Sequence, residues 1–339
     1  MITRRALNRA LLARQLLLSR ERLSPAQAIE RIGGLQAQAA KPPYLALWSR
    51  LGDFQREELH AAITGRKAVR GTLMRGTLHL VSRADYLSWR PTLQPVLSRI
   101  TAAITKTAYD VDELCATGRA FFDERTRPFE ELRALFPKKD ERLMAYTVRM
   151  HLPLLMVPDD SPWSYPPNAS FAVAETFLRK KLAKPSPRDL LLRYLSAFGP
   201  ATPADFQNWS GLTGTRALFD ELRPHLVTFH DERKRELFDL PDAPRPDEST
   251  EAPLRLLPEF DTSLLGHDDR SRIIADEHRP IVATKNLRIL PTFLIDGFVA
   301  GTWTIVRKKL ELTPFGKLDK RTRGALEDEA QALVAWTLR

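Results

Sequence analysis

Three times within residues 1–241 the chain passes through short helical stretches and then into two short β-like runs. This recurring order limits the possible folds more than any other feature. In the first pass Ile2, Ala6, Leu7, Ala10, Leu11, Leu17 and Leu18 recur at three- and four-residue spacing, with Arg4, Arg5, Arg9 and Arg14 between them. Ser24-Pro25-Ala26-Gln27 then supplies an N-cap, a proline at the first helical position and a capping-box glutamine, and Gly33-Gly34 ends that helix. A third helix is predicted over 54–64, capped by Asp53 and closed by Gly65. Strands follow over 69–74 and 77–81, around Arg75-Gly76. Three helices and a hairpin are the order of a winged helix, whose third helix can enter a major groove.

The second pass predicts helices over 111–122, 128–135 and 141–151, then strands over 154–157 and 170–174 flanking a Pro-rich turn at 161–167. After Lys184-Pro185-Ser186-Pro187 the third predicts helices over 188–198, 203–209 and 215–222, then a hairpin of 225–230 and 236–240 with a basic tip at 231–235. An acidic, Pro-rich linker at 241–253 separates off a different tail. There 287–294 and 298–305 form a hairpin across Asp296-Gly297, 307–312 adds a strand, and 322–338 forms a last helix. The predicted fold is mainly α with small β-hairpins: three tandem winged-helix motifs and a C-terminal α+β cap. Residues 1–107 make the first unit, with a glutamine motif and a bracing helix; 108–183 make the second, 184–241 the third and 253–339 the cap.

With 339 residues, 43% apolar and 28% charged, the composition is that of a globular protein and not of a disordered or fibrous one. The best candidate for a membrane span, 11–18, is broken by Arg14 and Gln15 and falls far short of the length needed. A single cysteine excludes an intramolecular disulfide framework and a CxxC pair. With no secretory signal visible, the cytoplasm is the expected compartment. The charge is uneven: residues 1–107 hold 18 Lys and Arg against 6 Asp and Glu, so the net +10 of the chain comes entirely from its first third. Such a face implies a polyanionic partner, nucleic acid first, with an Arg-rich composition as the plain alternative.

Phosphate-loop, GxGxxG, GxSxG and HExxH motifs are absent. His267, Asp268, Asp269 and His278 could seat a metal, but their spacing is common by chance, and no metal or other cofactor is expected. Glu259 and Asp261, two apart, could share a face of an extended segment as an acid/base pair; a cap or a salt bridge explains them as well. The least usual segment is Gly33-Gly34-Leu35-Gln36-Ala37-Gln38. In a helix Gln36 and Gln38 would point about 200° apart, whereas in an extended segment they share a face. There two uncharged amides could hold a water and a partly cationic sugar; on a short helix they would simply face solvent.

The stretch Gly34-Leu35-Gln36-Ala37-Gln38 resembles the Gln-apolar-Gln motif of AlkZ-type DNA glycosylases in the winged-helix DNA-binding family. Three further blocks carry the same likeness, in the same order: 75–81 (Arg-Gly-Thr-Leu-His-Leu-Val), 257–261 leading to Asp269-Arg270, and 295–297 leading to Gly301-Thr302-Trp303. The resemblance spans nearly the whole chain. It implies a monofunctional enzyme that excises cationic N-alkylpurines from double-stranded DNA and unhooks bulky or crosslinking adducts, in repair or in self-resistance to a genotoxin. It implies that Gln36 and Gln38 are catalytic.

Candidate phosphate contacts are Arg4, Arg5, Arg9, Arg66, Lys67, Arg70 and Arg75, with Arg233, Lys234 and Arg235 at the hairpin tip. His79, Asp261 and Arg270 are candidates to shape the cleft; a hydrogen-bonded core histidine and an interdomain salt bridge are their plain alternatives. Several units in one chain suggest a monomer. The rival reading is a non-catalytic winged-helix DNA-binding protein or regulator.

Overall fold

The computed structural model describes residues 1–105, 109–284 and 288–338. The chain begins with α1 (Arg4–Arg14) and α2 (Pro25–Arg31), the latter with the expected Ser24–Gln27 capping box. A two-residue strand, β1 (Leu35–Gln36), leads to α3 (Pro42–Trp48) and α4 (Arg56–Thr64). The sequence gives little sign of α3, which Pro42-Pro43 open without a side-chain cap. Nor does Asp53 cap α4: it sits at φ 55°, and Gln55 with Glu58 forms the capping box instead. Strands β2 (Ala68–Thr72) and β3 (Leu78–Ser82) follow, then α5 (Arg83–Thr92) and α6 (Gln94–Ile104).

Next come α7 (Val111–Glu124), β4 (Arg127–Pro128), α8 (Phe129–Arg133), α9 (Glu141–His151), β5 (Leu154–Met156), β6 (Ser170–Val173) and α10 (Ala174–Leu178). The hairpins of the first two passes are not separate wings. They join in one antiparallel sheet of order β1-β3-β2-β5-β6-β4. The seam is a single pair, Gly71↔Leu155, and only glycine fits it: a Cβ there would lie 2.6 Å from the Tyr86 ring and 3.0 Å from the Leu154 carbonyl.

The third pass contains α11 (Pro187–Phe198), α12 (Pro203–Ser210), α13 (Thr215–Leu222) and an isolated hairpin of β7 (Val227–His230) and β8 (Glu236–Asp239). The tail is β9 (Arg255–Leu257), α14 (Arg279–Val282), β10 (Thr292–Ile295), β11 (Phe298–Val306), β12 (Lys309–Pro314) and α15 (Lys320–Leu338), its strands ordered β12-β11-β10-β9. The expected start of its hairpin at 287 lies outside the described residues. The whole is mainly helical, with small antiparallel sheets.

Buried ion pairs knit the third pass and the tail to the front. Arg14 of α1 grips Asp239 of β8 through two N–H donors at 2.7 and 2.8 Å, both side chains fully enclosed. Arg50 does the same to Asp261 at 2.9 and 2.8 Å. Among the described residues no helix is long and apolar enough to cross a membrane.

Candidate active site

Gly33 and Gly34, at φ 79° and 84°, turn the chain sharply out of α2. Most residues avoid that region, and at Gly34 a Cβ would also lie 2.7 Å from Val81 Cγ1. The following segment is therefore pressed against β3, with Leu35 opposite Leu80 and Gln36 opposite His79, and Ala37 N–H continues the ladder to the Leu78 carbonyl at 2.8 Å. The glutamine segment is extended, not helical. Leu35 and Ala37 enter the core, and Gln36 and Gln38 alternate with them.

Both amides are oriented. Gln36, 9% exposed, accepts at Oε1 from Arg75 Nη2 at 3.0 Å, and Gln38 Oε1 accepts from Leu78 N–H at 3.1 Å. Both donors can only donate, so each carbonyl oxygen must be the atom facing in. Each oxygen keeps one lone pair, and each NH₂ group makes no hydrogen bond to a described residue. Arg70 fixes the backbone beneath them, donating to the carbonyls of Ala37 (2.9 Å) and Gln38 (3.1 Å).

His79 lies beside Gln36, 3% exposed, its Nδ1–H donating to the Thr77 carbonyl at 3.1 Å. Burial and the neighbouring Arg75 charge push its pKa down to about 3, so the ring is neutral near pH 7. Arg75 adopts φ 55° in the turn between β2 and β3 and also donates to the Trp209 carbonyl of α12. Burial, with Arg270 nearby, lowers its pKa to about 10.

Most of the arginines singled out in the sequence are committed inside the protein. Arg9 is fully enclosed and, with Arg5, pairs with Asp296 in the β10–β11 turn, because an i, i+4 pair on α1 meets that turn face-on. Arg9 is thus unavailable to phosphate. Arg70 is buried, and Arg66 donates to the Phe177 carbonyl at 2.7 Å. The hairpin tip is docked rather than free: Arg233 and Arg235 both pair with Asp269. Arg4, Lys67 and Lys234 stay exposed without a carboxylate partner among the described residues.

Asp261 does not line the cleft. It is enclosed with Arg50 and caps the turn beginning at Thr262 by accepting from Ser263 N–H and Oγ–H. Glu259 pairs instead with Arg288 at 2.8 Å. Phe260 between them has φ 58°, which breaks the extended geometry that would have put both carboxylates on one face. Arg270 is half-buried near Arg75 and Arg279, with a long 3.4 Å hydrogen bond to the His267 carbonyl. His267 is buried on the Phe198 carbonyl, while Asp269 serves the hairpin tip.

Beside Gln38 lies a cavity that sequence reasoning missed, walled by Trp163, Tyr165, Phe129 and Arg149. Its signal was Trp163-Ser164-Tyr165 inside the Pro-rich stretch read only as a turn.

Fold and site together define a mainly helical protein whose front, bearing the excess cationic charge, presents two oriented, uncharged amides at a strand edge. The model of the family described as "DNA glycosylase AlkZ-like" matches residues 29–336, and the chain belongs to that family of DNA glycosylases, hydrolases of N-glycosyl bonds. An interstrand DNA cross-link repair glycosylase from Streptomyces sahachiroi is 28% identical over 346 residues, covering 94% of this chain and 92% of that protein. The solved structure of Streptomyces sahachiroi DNA glycosylase AlkZ has the same fold, with TM-score 0.81 and 24% identity over 98% of this chain and 96% of that one.

Proposed function

We propose that this protein hydrolyses the N-glycosidic bond of cationic N-alkylpurines in double-stranded DNA, including bulky and crosslinking adducts, with Gln36 and Gln38 as its catalytic pair. The observation that carries the reading is the orientation of the two amides by donors that leave a lone pair on each oxygen. An N7-alkylpurine is already positively charged, so its departure needs no strong acid. What remains is to place a water and to stabilise an oxocarbenium-like sugar. Two carbonyl dipoles, each oriented by its donor, supply both. As the C1′–N9 bond breaks, its electron pair stays with the purine and neutralises it; the water oxygen bonds to C1′ and releases its proton to solvent water. An unmodified base lacks that charge, so the site selects cationic lesions. The neutral His79 lies beside the pair without offering a proton at pH 7.

The duplex lies against three tandem winged-helix motifs, the first two of which share the six-stranded sheet. Arg4, Lys67 and Lys234 are its phosphate contacts among the residues singled out in the sequence, because their charges face solvent. The protein works as a monomer in the cytoplasm.

The test is base release from duplex DNA carrying N7-methylguanine, comparing wild type with Gln36→Ala and Gln38→Ala, alongside binding to undamaged duplex. Release should collapse in both variants while binding survives. Unchanged release would remove the pair from catalysis, and binding without release by wild type would leave a DNA-binding protein.

A further inference from the structure

The cavity beside Gln38 has a volume of about 640 Å³, within the range of pockets that hold drug-sized ligands. One wall is the Pro-rich loop 161–167, where Trp163 is held edge-on by Tyr44 with ring centroids 5.1 Å apart. Phe129 and Phe171, their rings tilted 60° to each other with centroids 5.5 Å apart, add apolar lining.

Two arginines line this largely apolar space. Arg70 is 4% exposed and lies 5.0 Å from the Tyr165 ring centroid; its Nε and Nη2 serve the glutamine backbone, leaving Nη1. Arg149 donates from Nε to Thr72 Oγ1 at 3.3 Å and keeps both Nη groups. Neither has a carboxylate within 4.0 Å among the described residues. Glu130 at the rim is paired with Arg133. Burial lowers the pKa of both arginines, the mark of charge held in a poorly solvated place. Such groups favour a ligand that brings oxygen acceptors. They disfavour a cation, and Lys41 on the same wall adds to the repulsion. The positively charged purine is therefore the wrong occupant, although the cavity adjoins the residue proposed to act on it.

We infer that the cavity receives the substituent of the damaged base and not the base itself: a planar aromatic ring bearing a carboxylate or acyl oxygen, flanked by Trp163 and Tyr165, with its oxygens on Arg149 and Arg70. This rests on the glycosylase reading above. Arg70 would then join recognition to catalysis, since the same guanidinium holds the backbone of Gln38.

The experiment uses three duplexes, each with one lesion: N7-methylguanine, N7-benzylguanine or N7-(4-carboxybenzyl)guanine. Single-turnover release and duplex affinity are measured for wild type, Trp163→Ala, the milder Trp163→Phe, and Arg149→Met, with urea unfolding as the control for folding. Wild type should favour carboxybenzyl over benzyl over methyl, by about tenfold for the carboxylate. Trp163→Ala should remove the benzyl preference, with Trp163→Phe keeping most of it, and Arg149→Met should bring carboxybenzyl down to benzyl. Release of N7-methylguanine should stay within about twofold throughout. Equal wild-type rates on the three lesions, or variants that slow all three alike, would overturn the pocket while leaving the glycosylase intact. No release of any lesion would sink the glycosylase reading; equal affinity for the three duplexes would then sink the pocket as well.

Discussion

Arg75 donates from Nη2 to the amide oxygen of Gln36 at 3.0 Å while its Nη1 is anchored on the carbonyl of Trp209. Trp209 belongs to α12, far along the chain, so a helix of the third pass sets the orientation of an amide on β1. The sequence offers Arg75 as a candidate phosphate contact; its two hydrogen bonds suit it to hold the Gln36 amide in place.

Arg75→Met should therefore slow base release by about 10- to 100-fold, the effect of losing one hydrogen bond to a charged group. Affinity for undamaged duplex should hold within about twofold, and Arg75→Lys should recover only part of the rate because one ammonium cannot reproduce the fork. Single-turnover rates set against binding titrations check this. A change confined to affinity and its salt dependence would return Arg75 to the DNA contacts.

His79 and His267 are both buried, with pKa values pushed down to about 3 from the usual 6.5. Between those values the unfolded chain binds more protons than the folded one, so stability rises with pH. It is complete above pH 6.5 and falls as acid is added, by about 1.4 kcal/mol per pH unit for each histidine. Urea unfolding from pH 7.5 to 4.5 should show this decline, with a shallower slope in His79→Gln. An equal slope in that variant would place the titration elsewhere.

Asp261→Asn leaves the Arg50 guanidinium enclosed without its counter-charge. Breaking one partner of such a pair costs about 3–5 kcal/mol. The expected result is a large drop in unfolding free energy with the rate per folded molecule preserved at low temperature. A variant of wild-type stability but low activity would instead make Asp261 part of the cleft.

Lys67 and Lys234 are exposed, whereas Arg9 is enclosed against Asp296. Lys67→Ala and Lys234→Ala should each flatten the plot of log affinity against log salt by about 0.9. Arg9→Met should leave that slope alone and lower stability. Affinity measured at several salt concentrations separates the two groups.

Much of the architecture was legible because its signals are local. The capping box at Ser24–Gln27 and the helices 141–151 and 215–222 lie where the sequence puts them, since a cap or an apolar stripe acts within one or two turns. Helix α3 escaped because its ends carry no capping side chain and its residues are buried nearly all round, which removes the amphipathic stripe. The glutamine pair was visible as residue types; its extended geometry came from Gly33-Gly34 and the contact with β3.

The sequence by itself determined much of the order of helices and hairpins, the basic front and the identity of the two amides, all properties of near neighbours or of composition. Only the tertiary structure decided where the charges go. A guanidinium reaches carboxylates and carbonyls that are distant in sequence, so Arg9 meets Asp296, Arg14 meets Asp239 and Arg50 meets Asp261 across more than two hundred residues. The same packing fused two hairpins at Gly71 and opened the cavity beside Gln38, neither of which any short stretch of chain encodes.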